Sequence, residues 1–556
     1  MSDRRGKITP MTLAIPRRHP ACCAAVAYVF LAALATWPVL GRMTTALAGG
    51  DRQSWRGLWG LWWFSDSVRR GVSPLTCDAL RWPQGMVLPA EGWNLPAAVA
   101  MSPAWALTPR IPEVAIYNVA VLLGYALAGF SVYLLCRELW GDQLAPFLAG
   151  SVYTIGLYHL GQAPDRVNVA SIASPLYFLA FTRVVRRRGP APPVVAGAAL
   201  GIAAVASPGY LILCAVGTVV LLVAWFRVEI AALASRAFLN RVLLLVATFV
   251  IVGGWLYVRS SSDQPHQMSG PEWSGLHSAD LLSFFVPGRS SVWSAYLGAT
   301  GGTPGRDAQD GWYVGCTLLA LVVAAVIRVR AARAWVAIAC AGFVLALGPR
   351  LHVHGRAVTG AFLPFGWLDA AVHLTRLGAA PDRFTWLVAF GAAVAAGAVL
   401  SQLVRDGRRG RAIACAVTAA ALLESWPHPM TMSGWPAPAF LRNLARDDER
   451  WAVLDATPTA RRLWHQILHG HPQVGGYGPE GPGEIERVLD DVPELKPLLG
   501  GPGNVLARKA AIRALQGMNV RFVIVDASSM AGARALRLPS AYEGDGLVVF
   551  EVPPSG

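Results

Sequence analysis

The sequence predicts a mostly α-helical protein, in which a polytopic transmembrane helical bundle is followed by a small α/β domain. Of its 556 residues, 54% are hydrophobic and only 15% are charged, whereas soluble domains have about 25% charged residues. The apolar residues are grouped into runs long enough to cross a hydrocarbon core of about 30 Å as helices. After Trp426 the composition changes to that of an ordinary globular protein. A soluble multidomain protein and a disordered chain are both disfavoured.

Eleven apolar segments are candidate membrane spans. They lie at about 21–41, 113–137, 143–162, 168–185, 191–207, 209–226, 240–257, 313–329, 333–349, 384–404 and 411–426. Only Ser207-Pro208-Gly209 separates the fifth span from the sixth, so one long kinked helix is an alternative there. The chain therefore divides into a transmembrane domain, residues 1–426, and a C-terminal domain, residues 427–556.

The distribution of basic residues predicts the orientation of the bundle. Residues 427–556 contain 13 basic and 14 acidic residues, whereas residues 1–426 contain 35 basic and 19 acidic residues. With the N-terminus in the cytoplasm, 20 of those 35 fall in the cytoplasmic segments, as the positive-inside rule requires. The net charge of +15 then reflects topology, and nucleic acid is not expected as a partner.

This orientation places three long loops, 42–112, 258–312 and 350–383, outside the cytoplasm together with the C-terminal domain. The N-terminal apolar run is interpreted as an uncleaved first span, because ten further candidates follow it. Seven of the eight Cys lie in predicted spans and only Cys77 lies in an outer loop, so no disulfide framework is expected. The span interiors are nearly free of charge, which disfavours an ion-coupled transporter.

The first outer loop contains the candidate catalytic residue. Asp51 precedes a segment with Trp55, Trp59, Trp62 and Trp63 at spacings of three and four, which predicts an amphipathic helix with one aromatic face. We expect that face to pack against lipid headgroups. A carboxylate beside a membrane cavity can act as general base on a hydroxyl group, and the alternative for Asp51 is a solvated or helix-capping residue.

Several short motifs lie in the outer loops and at their borders. Besides Asp51 they are Gly71-Val72-Ser73-Pro74-Leu75, Trp82-Pro83-Gln84-Gly85, Ala115-Ile116-Tyr117-Asn118, Asp280-Leu281-Leu282-Ser283-Phe284-Phe285-Val286-Pro287-Gly288, Leu347-Gly348-Pro349-Arg350 and Ala380-Pro381-Asp382-Arg383-Phe384. With the eleven spans and the C-terminal tail, they resemble the GT-C superfamily of membrane glycosyltransferases, and more particularly a bacterial group that ends in an extracytoplasmic α/β domain. The resemblance covers most of the chain, although each motif is short.

The resemblance implies sugar transfer from a polyprenyl-phosphate-linked donor to a glycan, lipid or protein acceptor, on the outer face of a bacterial plasma membrane. In that family an Asp of the first outer loop activates the acceptor hydroxyl, and Asp51 matches it. Positive side chains would stabilise the leaving lipid phosphate, and the candidates in the outer loops are Arg350, Arg383, Arg289 and Arg376. A snorkelling interface anchor is the alternative role for each of them.

Dependence on a metal stays open at this point. Several relatives have a second acid directly beside the catalytic one, and some use a divalent cation such as Mg²⁺ or Mn²⁺, but here Asp51 is followed by Arg52. Candidates for a second acid elsewhere are Asp66, Asp165 and Asp280. The pairs His352/His354 and His469/His471 would need a third ligand to hold a metal, and the sequence reveals none.

The last 130 residues are enough for one α/β core. Strands are expected at 451–455, 522–526 and 547–550, with helices near 437–446, 484–499 and 504–517. The glycine-rich stretches 475–478 and 500–503 lack the strand and helix that flank a nucleotide-binding loop, so they are interpreted as turns. This domain would cover the membrane cavity or help to hold a sugar or acceptor, and binding of another envelope protein is the alternative.

Three classes of function therefore remain. A glycosyltransferase is favoured by the Asp51 loop, the topology and the family resemblance. A lipid or glycan transporter and a non-catalytic envelope assembly protein on the same fold are the alternatives. The missing acidic neighbour of Asp51 is what keeps the non-catalytic alternative open.

Overall fold

The computed structural model describes sixteen stretches of the chain. They are residues 20–49, 52–88, 94–107, 110–156, 164–186, 189–233, 235–256, 271–287, 291–295, 312–375, 380–447, 449–475, 492–495, 505–526, 534 and 536–554.

The chain before Trp426 is mostly helical. Its helices are α1 (Pro20–Ala35), α2 (Arg52–Arg69), α3 (Leu95–Trp105), α4 (Glu113–Trp140), α5 (Leu144–Ile155), α6 (Pro164–Val185), α7 (Pro192–Ala206), α8 (Gly209–Leu233), α9 (Arg236–Phe249), α10 (Pro271–Leu276), α11 (Cys316–Arg328), α12 (Arg333–Ala346), α13 (Pro364–Val372), α14 (Thr385–Arg405) and α15 (Gly407–Glu424). A π-helical turn, Val250–Gly254, extends α9, and a 3₁₀ turn, Pro381–Phe384, leads into α14.

A helix lies at each of the eleven predicted segments. Among the described residues, four helical stretches are long and apolar enough to cross a membrane: Glu113–Trp140, Pro208–Trp225, Arg236–Gly254 and Pro381–Arg405. The other apolar helices are shorter. A mostly helical protein with several apolar helices is confirmed, and the number of membrane crossings stays a prediction.

Helix α14 is the centre of the bundle and is buried along most of its length. It contacts α5, α11, α12 and α15. A Cβ atom at Gly391 would lie 2.6 Å from the carbonyl oxygen of Trp335, so the missing side chain is what lets α12 approach. Close contact through small residues is the usual way in which apolar helices pack within a membrane.

The break at Ser207-Pro208 separates two helices of opposite direction. A Cβ atom at Gly197 of α7 would lie 2.3 Å from the carbonyl oxygen of Leu245, and one at Gly201 would lie 3.2 Å from the backbone nitrogen of Gly253. Residue numbers rise together along this contact, so α7 runs parallel to α9 and its π-helical extension. Helix α8 connects them and must therefore run back between their opposite ends. The alternative of one long kinked helix is wrong.

Among the residues that the structure describes, ten strands form four small sheets. The strands are β1 (Leu47–Ala48), β2 (Thr76–Cys77), β3 (Met86–Val87), β4 (Arg350–Val353), β5 (Arg356–Phe362), β6 (Met432–Ser433), β7 (Ala452–Asp455), β8 (Val520–Val525), β9 (Ser540–Gly544) and β10 (Leu547–Glu551). β1 pairs with β6, β2 with β3, and β4 with β5, all antiparallel. The remaining four strands make one sheet in the order β7-β8-β10-β9.

The four-stranded sheet is covered by a helix on each face. Its helices are α16 (Ala439–Leu444), α17 (Thr459–His469) and α18 (Val505–Gly517). Side chains alternate between the faces of a strand, so Val523 of β8 packs in the core with α18, while Ile524 packs in the core with α17. β7 and β8 are parallel, and the other pairs are antiparallel. The predicted strands of this region lie at β7, β8 and β10, whereas α17 and β9 were not predicted.

The aromatic face of α2 is buried in protein. The exposed fractions of Trp55, Trp59, Trp62 and Trp63 are 1%, 0%, 5% and 0%. These rings share one apolar core with Trp464 of α17 and with the inner face of the four-stranded sheet. The expectation that they pack against lipid headgroups was wrong. Periodicity shows that a helix has an apolar face, but it does not show which surface covers that face.

Candidate functional site

The chain is fixed on both sides of Asp51, which itself lies outside the described residues. On the N-terminal side, Leu47 pairs with Ser433 and Ala48 with Met432, and the Gly49 amide donates to the Thr431 carbonyl oxygen at 2.9 Å. On the C-terminal side, α2 begins at Arg52. The first outer loop is therefore joined to the segment that follows the last bundle helix.

A fully buried amide on α4 holds the same segment from the bundle. Asn118 Oδ1 accepts the Ala48 amide N–H at 3.0 Å. Asn118 Nδ2 donates to the carbonyl oxygens of Met43, at 2.9 Å, and of Ala46, at 2.8 Å. Asn118 is 0% exposed, so its one amide satisfies three backbone groups that would otherwise be costly to bury.

Helix α2 is in turn held by the C-terminal region. The Trp59 indole Nε1 donates to Gln466 Oε1 at 2.7 Å, and the Trp55 ring stacks on Trp435 with 4.3 Å between centroids. Following α2, Arg70 forms an ion pair with Asp78 at 3.0 Å. Arg450 also forms an ion pair with Asp78. Burial opposes ionisation of Asp78, but the hydrogen bonds from Arg70 and Arg450 outweigh it and lower the pKa of this carboxyl group.

Arg383 lies in a half-buried polar cluster at the end of the bundle. Its Nη1 donates to Ser207 Oγ at 3.3 Å, which joins the start of α14 to the break between α7 and α8. Beside it, the Asp382 amide donates to the His277 carbonyl oxygen at 2.8 Å, and Asp382 Oδ2 lies 3.4 Å from His277 Nδ1. The cluster thus brings together three segments that are far apart in the sequence.

Arg350 is exposed at the start of β4, on the β4–β5 hairpin. The hairpin is joined to the segment after α10 through Asp280, which is 4% exposed. Asp280 Oδ1 accepts the Leu282 amide at 2.9 Å, and Oδ2 accepts the Gly355 amide at 2.8 Å. Both carboxylate oxygens are therefore engaged by backbone N–H groups, which is a structural role.

The first outer loop and the Arg383 cluster lie at the same end of the bundle. Leu75 and Leu95, which flank the first loop's two small strands, pack against the apolar cluster formed by Val205 and Leu256. Val205 is two residues before Ser207, the hydrogen-bond partner of Arg383. Helix α2 also contacts α6, the helix that contains Asp165.

The opposite end of the bundle is basic. Arg183 Nη2 pairs with Glu138 Oε2 at 2.8 Å, and Arg405 Nη2 donates to the Trp140 carbonyl oxygen at 2.6 Å. In α4, Asn118 and Trp140 are 22 residues apart, or about 33 Å at the rise of an α-helix. This separation is close to the thickness of a bilayer core, about 30 Å, with the two arginines at one end and the Asn118 contacts at the other.

The other predicted site residues are distributed as follows. Arg289, Arg376 and the side chain of Asp165 lie outside the described residues. Asp66 pairs with Arg70 at 2.8 Å and lies 14 residues along α2 from Arg52, which is about 21 Å. Asp66 is therefore not beside the start of α2.

The histidine pairs do not form metal sites with the described residues. Within the described ranges no three His, Cys, Asp or Glu side chains are grouped so that they could hold a metal. His469 is fully buried, and its Nδ1 accepts the His471 amide at 3.0 Å. Burial lowers the pKa of His469 to about 3. Cys77 is also buried, and burial raises the pKa of its thiol to about 12.

The central part of the chain matches a known protein family. A family model described as "Domain of unknown function (DUF6311)" matches residues 96–423. The chain belongs to this family. The match runs from α3 to the end of α15, so DUF6311 includes Asn118, Ser207 and Arg383 but not Asp51. No curated protein matches the sequence.

Solved structures of membrane glycosyltransferases share the fold of this DUF6311 member. Arabinofuranosyltransferase AftD from Mycobacteria matches with TM-scores of 0.53 and, in a mutant form, 0.55. Both matches have 14% identity and cover 97% of this chain, but only 40% and 42% of AftD. The apo oligosaccharyltransferase of Archaeoglobus fulgidus matches with a TM-score of 0.47 and 14% identity, over 92% of this chain and 70% of that one.

The likeness to AftD shows that the chain shares the fold of the matched part of that protein, and it spans only about two fifths of AftD. With the apolar helices described above, this fold indicates a membrane location. Identity of 14% shows the fold alone, so donor and acceptor are matters of proposal.

Sequence patterns missed the residues that build this end of the bundle, namely Asn118 as a contact residue, Ser207, His277 and Gln466. One signal was available. Asn118 is an amide within an apolar helix, and polar groups inside membrane helices are costly unless they are paired. The hydrogen bonds of Ser207 and Gln466 cross 176 and 407 residues, so local patterns could not reveal them.

Proposed function

We propose that this chain is an integral membrane glycosyltransferase. It transfers a sugar from a polyprenyl-phosphate-linked donor to a glycan, lipid or protein acceptor on the outer face of a bacterial plasma membrane. The observation that carries the proposal is the Arg383 cluster, since a half-buried guanidinium group lies at the same end of the GT-C fold as the loop containing Asp51. A cation there can bind a lipid phosphate close to the membrane surface.

In the proposed reaction, Asp51 accepts the proton of the acceptor hydroxyl group. The hydroxyl oxygen bonds to the anomeric carbon of the sugar, and the bond from that carbon to the phosphate oxygen breaks on the opposite side, so the configuration is inverted. The lipid phosphate leaves with the electron pair of the broken bond. Arg383 stabilises the developing negative charge, and Arg350 supplies a second positive charge from the hairpin that Asp280 holds in place.

Two of the three candidates for a second acid are engaged in contacts within the chain. Asp66 is paired with Arg70, and both oxygens of Asp280 accept backbone N–H groups. Of the three candidates for a second acid, Asp165 is the one that these contacts leave open. We therefore route the proton through Asp51 alone, and addition of Mg²⁺ or Mn²⁺ to the assay tests whether a divalent cation takes part.

The orientation proposed from the sequence places the Asp51 end outside the cytoplasm. The basic end of the bundle, with Arg183 and Arg405, supports it, because Lys and Arg are enriched on the cytoplasmic side. Labelling with a membrane-impermeant thiol reagent after Ser540→Cys, compared with Arg408→Cys, in a chain without its native exposed Cys would test it in intact cells. Labelling of the first variant alone is the expected result, and labelling of the second alone would contradict the orientation.

The central test is sugar transfer by purified protein from a panel of polyprenyl-phosphate sugars. Asp51→Asn removes the base while nearly preserving shape, so transfer should fall by about 10²-fold or more. Asp66→Asn is the matched control in the same outer loop and should retain activity. Equal activity of wild type and Asp51→Asn would show that Asp51 is not the general base, and Asp165 would then be the next candidate. No transfer by any of them would favour the non-catalytic alternative.

A further inference from the structure

Asn118 is a polar residue on an apolar helix, and its amide makes contacts with another part of the chain. All three of its described hydrogen bonds go to backbone groups between residues 43 and 48. None of these bonds is needed to form α4, whose own backbone is helical through this position. The amide is therefore used to fix the first outer loop against the bundle.

The hydrogen bond between Asn118 and Ala48 lies close in the chain to the proposed general base. Ala48, the residue whose N–H is accepted by Asn118, comes three residues before Asp51. Three residues of extended chain span at most about 11 Å, so the contact at Ala48 is within that length of chain from the base. On the other side, α2 starts one residue after Asp51 and is fixed through Trp59 and Gln466.

We propose that Asn118 is a positioning residue for sugar transfer, acting through the Ala48 backbone on the base Asp51. This inference rests on the proposed function. It adds to it a contact that holds the chain three residues before the base, and a displacement of about 1 Å of a catalytic group can reduce a rate 10²-fold.

The proposal distinguishes positioning from general stability. Loss of the amide should reduce kcat and leave the KM for the lipid-linked donor nearly unchanged, because the Arg383 cluster, which would bind the donor phosphate, is held by other contacts. A purely structural role would instead lower the amount of folded protein and leave kcat per folded molecule the same.

The experiment compares Asn118→Leu, which is close in volume, with Ser131→Ala. Ser131 lies on the same helix, is 1% exposed, and donates only to the Ala128 carbonyl oxygen of its own helix. Amide hydrogen exchange should become at least 10-fold faster at Ala48 and Gly49 in Asn118→Leu and stay unchanged in Ser131→Ala. In the transfer assay, Asn118→Leu should lower kcat by 10-fold or more and change the donor KM by less than 2-fold. If Asn118→Leu does not fold, Asn118→Gln, which keeps an amide one methylene longer, is measured in the same way.

Unchanged exchange at Ala48 in a folded variant would overturn the proposal whatever the activity. Faster exchange with unchanged kcat would also overturn it, since the loop would then move without effect on transfer. If the wild type transfers no sugar, the proposed function fails and the catalytic role of Asn118 fails with it. Exchange at Ala48 still shows in that case whether Asn118 holds the loop, so the two failures are distinguishable.

Discussion

Trp59 and Gln466 lie 407 residues apart in the sequence and share a buried hydrogen bond of 2.7 Å from the indole Nε1 to the amide Oε1. The Gln466 amide nitrogen in turn donates to the Ala79 carbonyl oxygen at 2.6 Å. One side chain of α17 thus binds two points of the first outer loop. The loop and the four-stranded sheet form a common core as a result.

Gln466→Leu should weaken this joint core. The change removes the oxygen that accepts the buried Trp59 N–H, and loss of such an acceptor costs about 1–3 kcal/mol. The Ala79 carbonyl oxygen keeps the Gln473 amide, which donates to it at 2.9 Å. We expect a lower thermal midpoint and faster proteolysis in the segment 76–88. Gln516→Leu is the control, because Gln516 is half-buried and its amide nitrogen donates to the carbonyl oxygens of Pro553 and Pro554, which lie outside the joint core. An equal loss in both variants would contradict the role of Gln466.

Acid should destabilise the C-terminal sheet region through His469. Burial keeps this imidazole neutral in the folded state, with a pKa of about 3, whereas the unfolded value is about 6.5. The folded state therefore binds fewer protons than the unfolded state between these values, and stability falls as the pH drops below about 6.5, by up to about 1.4 kcal/mol per unit. Asp455, fully buried, changes stability in the same direction at lower pH, because its pKa is lowered: burial opposes this, but the charge of His465 and hydrogen bonds outweigh it.

The measurement is the thermal midpoint between pH 7.5 and pH 5. His469→Asn keeps an acceptor for the His471 amide but cannot take up a proton, so it should flatten the pH dependence. A midpoint that falls equally in wild type and variant would assign the effect to another group.

Arg383→Gln should reduce sugar transfer more than Arg350→Gln does. Arg383 is half-buried in a polar cluster, where a charge interacts more strongly than at an exposed position such as Arg350. We expect a loss of 10²-fold or more in kcat/KM for Arg383→Gln and a loss of about 10-fold or less for Arg350→Gln. Initial rates at several donor concentrations measure both effects. Arg356→Gln, an exposed arginine on β5, is the control, and an effect of equal size there would point to a nonspecific charge effect.

Gly197→Ala should separate α7 from α9. The new Cβ atom would lie 2.3 Å from the backbone oxygen of Leu245, so one of the two helices would have to shift. Overpacking of this kind costs about 1–3 kcal/mol or more, which a lower thermal midpoint in detergent would report. Gly517→Ala meets no atom within 4 Å and should be neutral. A neutral Gly197→Ala would mean that the two helices are not packed as described.

The sequence predicted the elements that depend on neighbouring residues, and it did not predict contacts between residues that are far apart in the chain. Apolar runs predicted a helix at each of eleven positions, because the length of a helix in a bilayer is set by local composition. The strand at Leu547–Glu551 was predicted from its four consecutive apolar residues. Helix α17 was not, because Arg461, Arg462 and His465 interrupt its apolar pattern although all three lie in one amphipathic helix.

The sequence predicted individual residues of the candidate site, but it did not predict which residues contact each other. Asp51 and Arg383 were chosen because they lie in outer loops near span ends, and the structure brings the loop of the first near the cluster of the second. Ser207 was seen only as a possible kink, since the sequence gives no indication of the guanidinium group that it binds. Trp59 was assigned to lipid because its partner Gln466 follows 407 residues later.

The 407 residues between Trp59 and Gln466 also determine when their contact can form during synthesis. At a synthesis rate of roughly 5–20 residues per second, the ribosome adds the chain between Trp59 and Gln466 in about 20–80 seconds. During most of that time the ribosome has already synthesised α2. It has not yet synthesised Trp435 and Trp464, whose rings contact Trp55 on the aromatic face of α2. Packing of the first loop is therefore completed only after Trp435 and Trp464 have been made, and a nascent chain that stops before residue 435 leaves the tryptophan face of α2 uncovered by these two side chains.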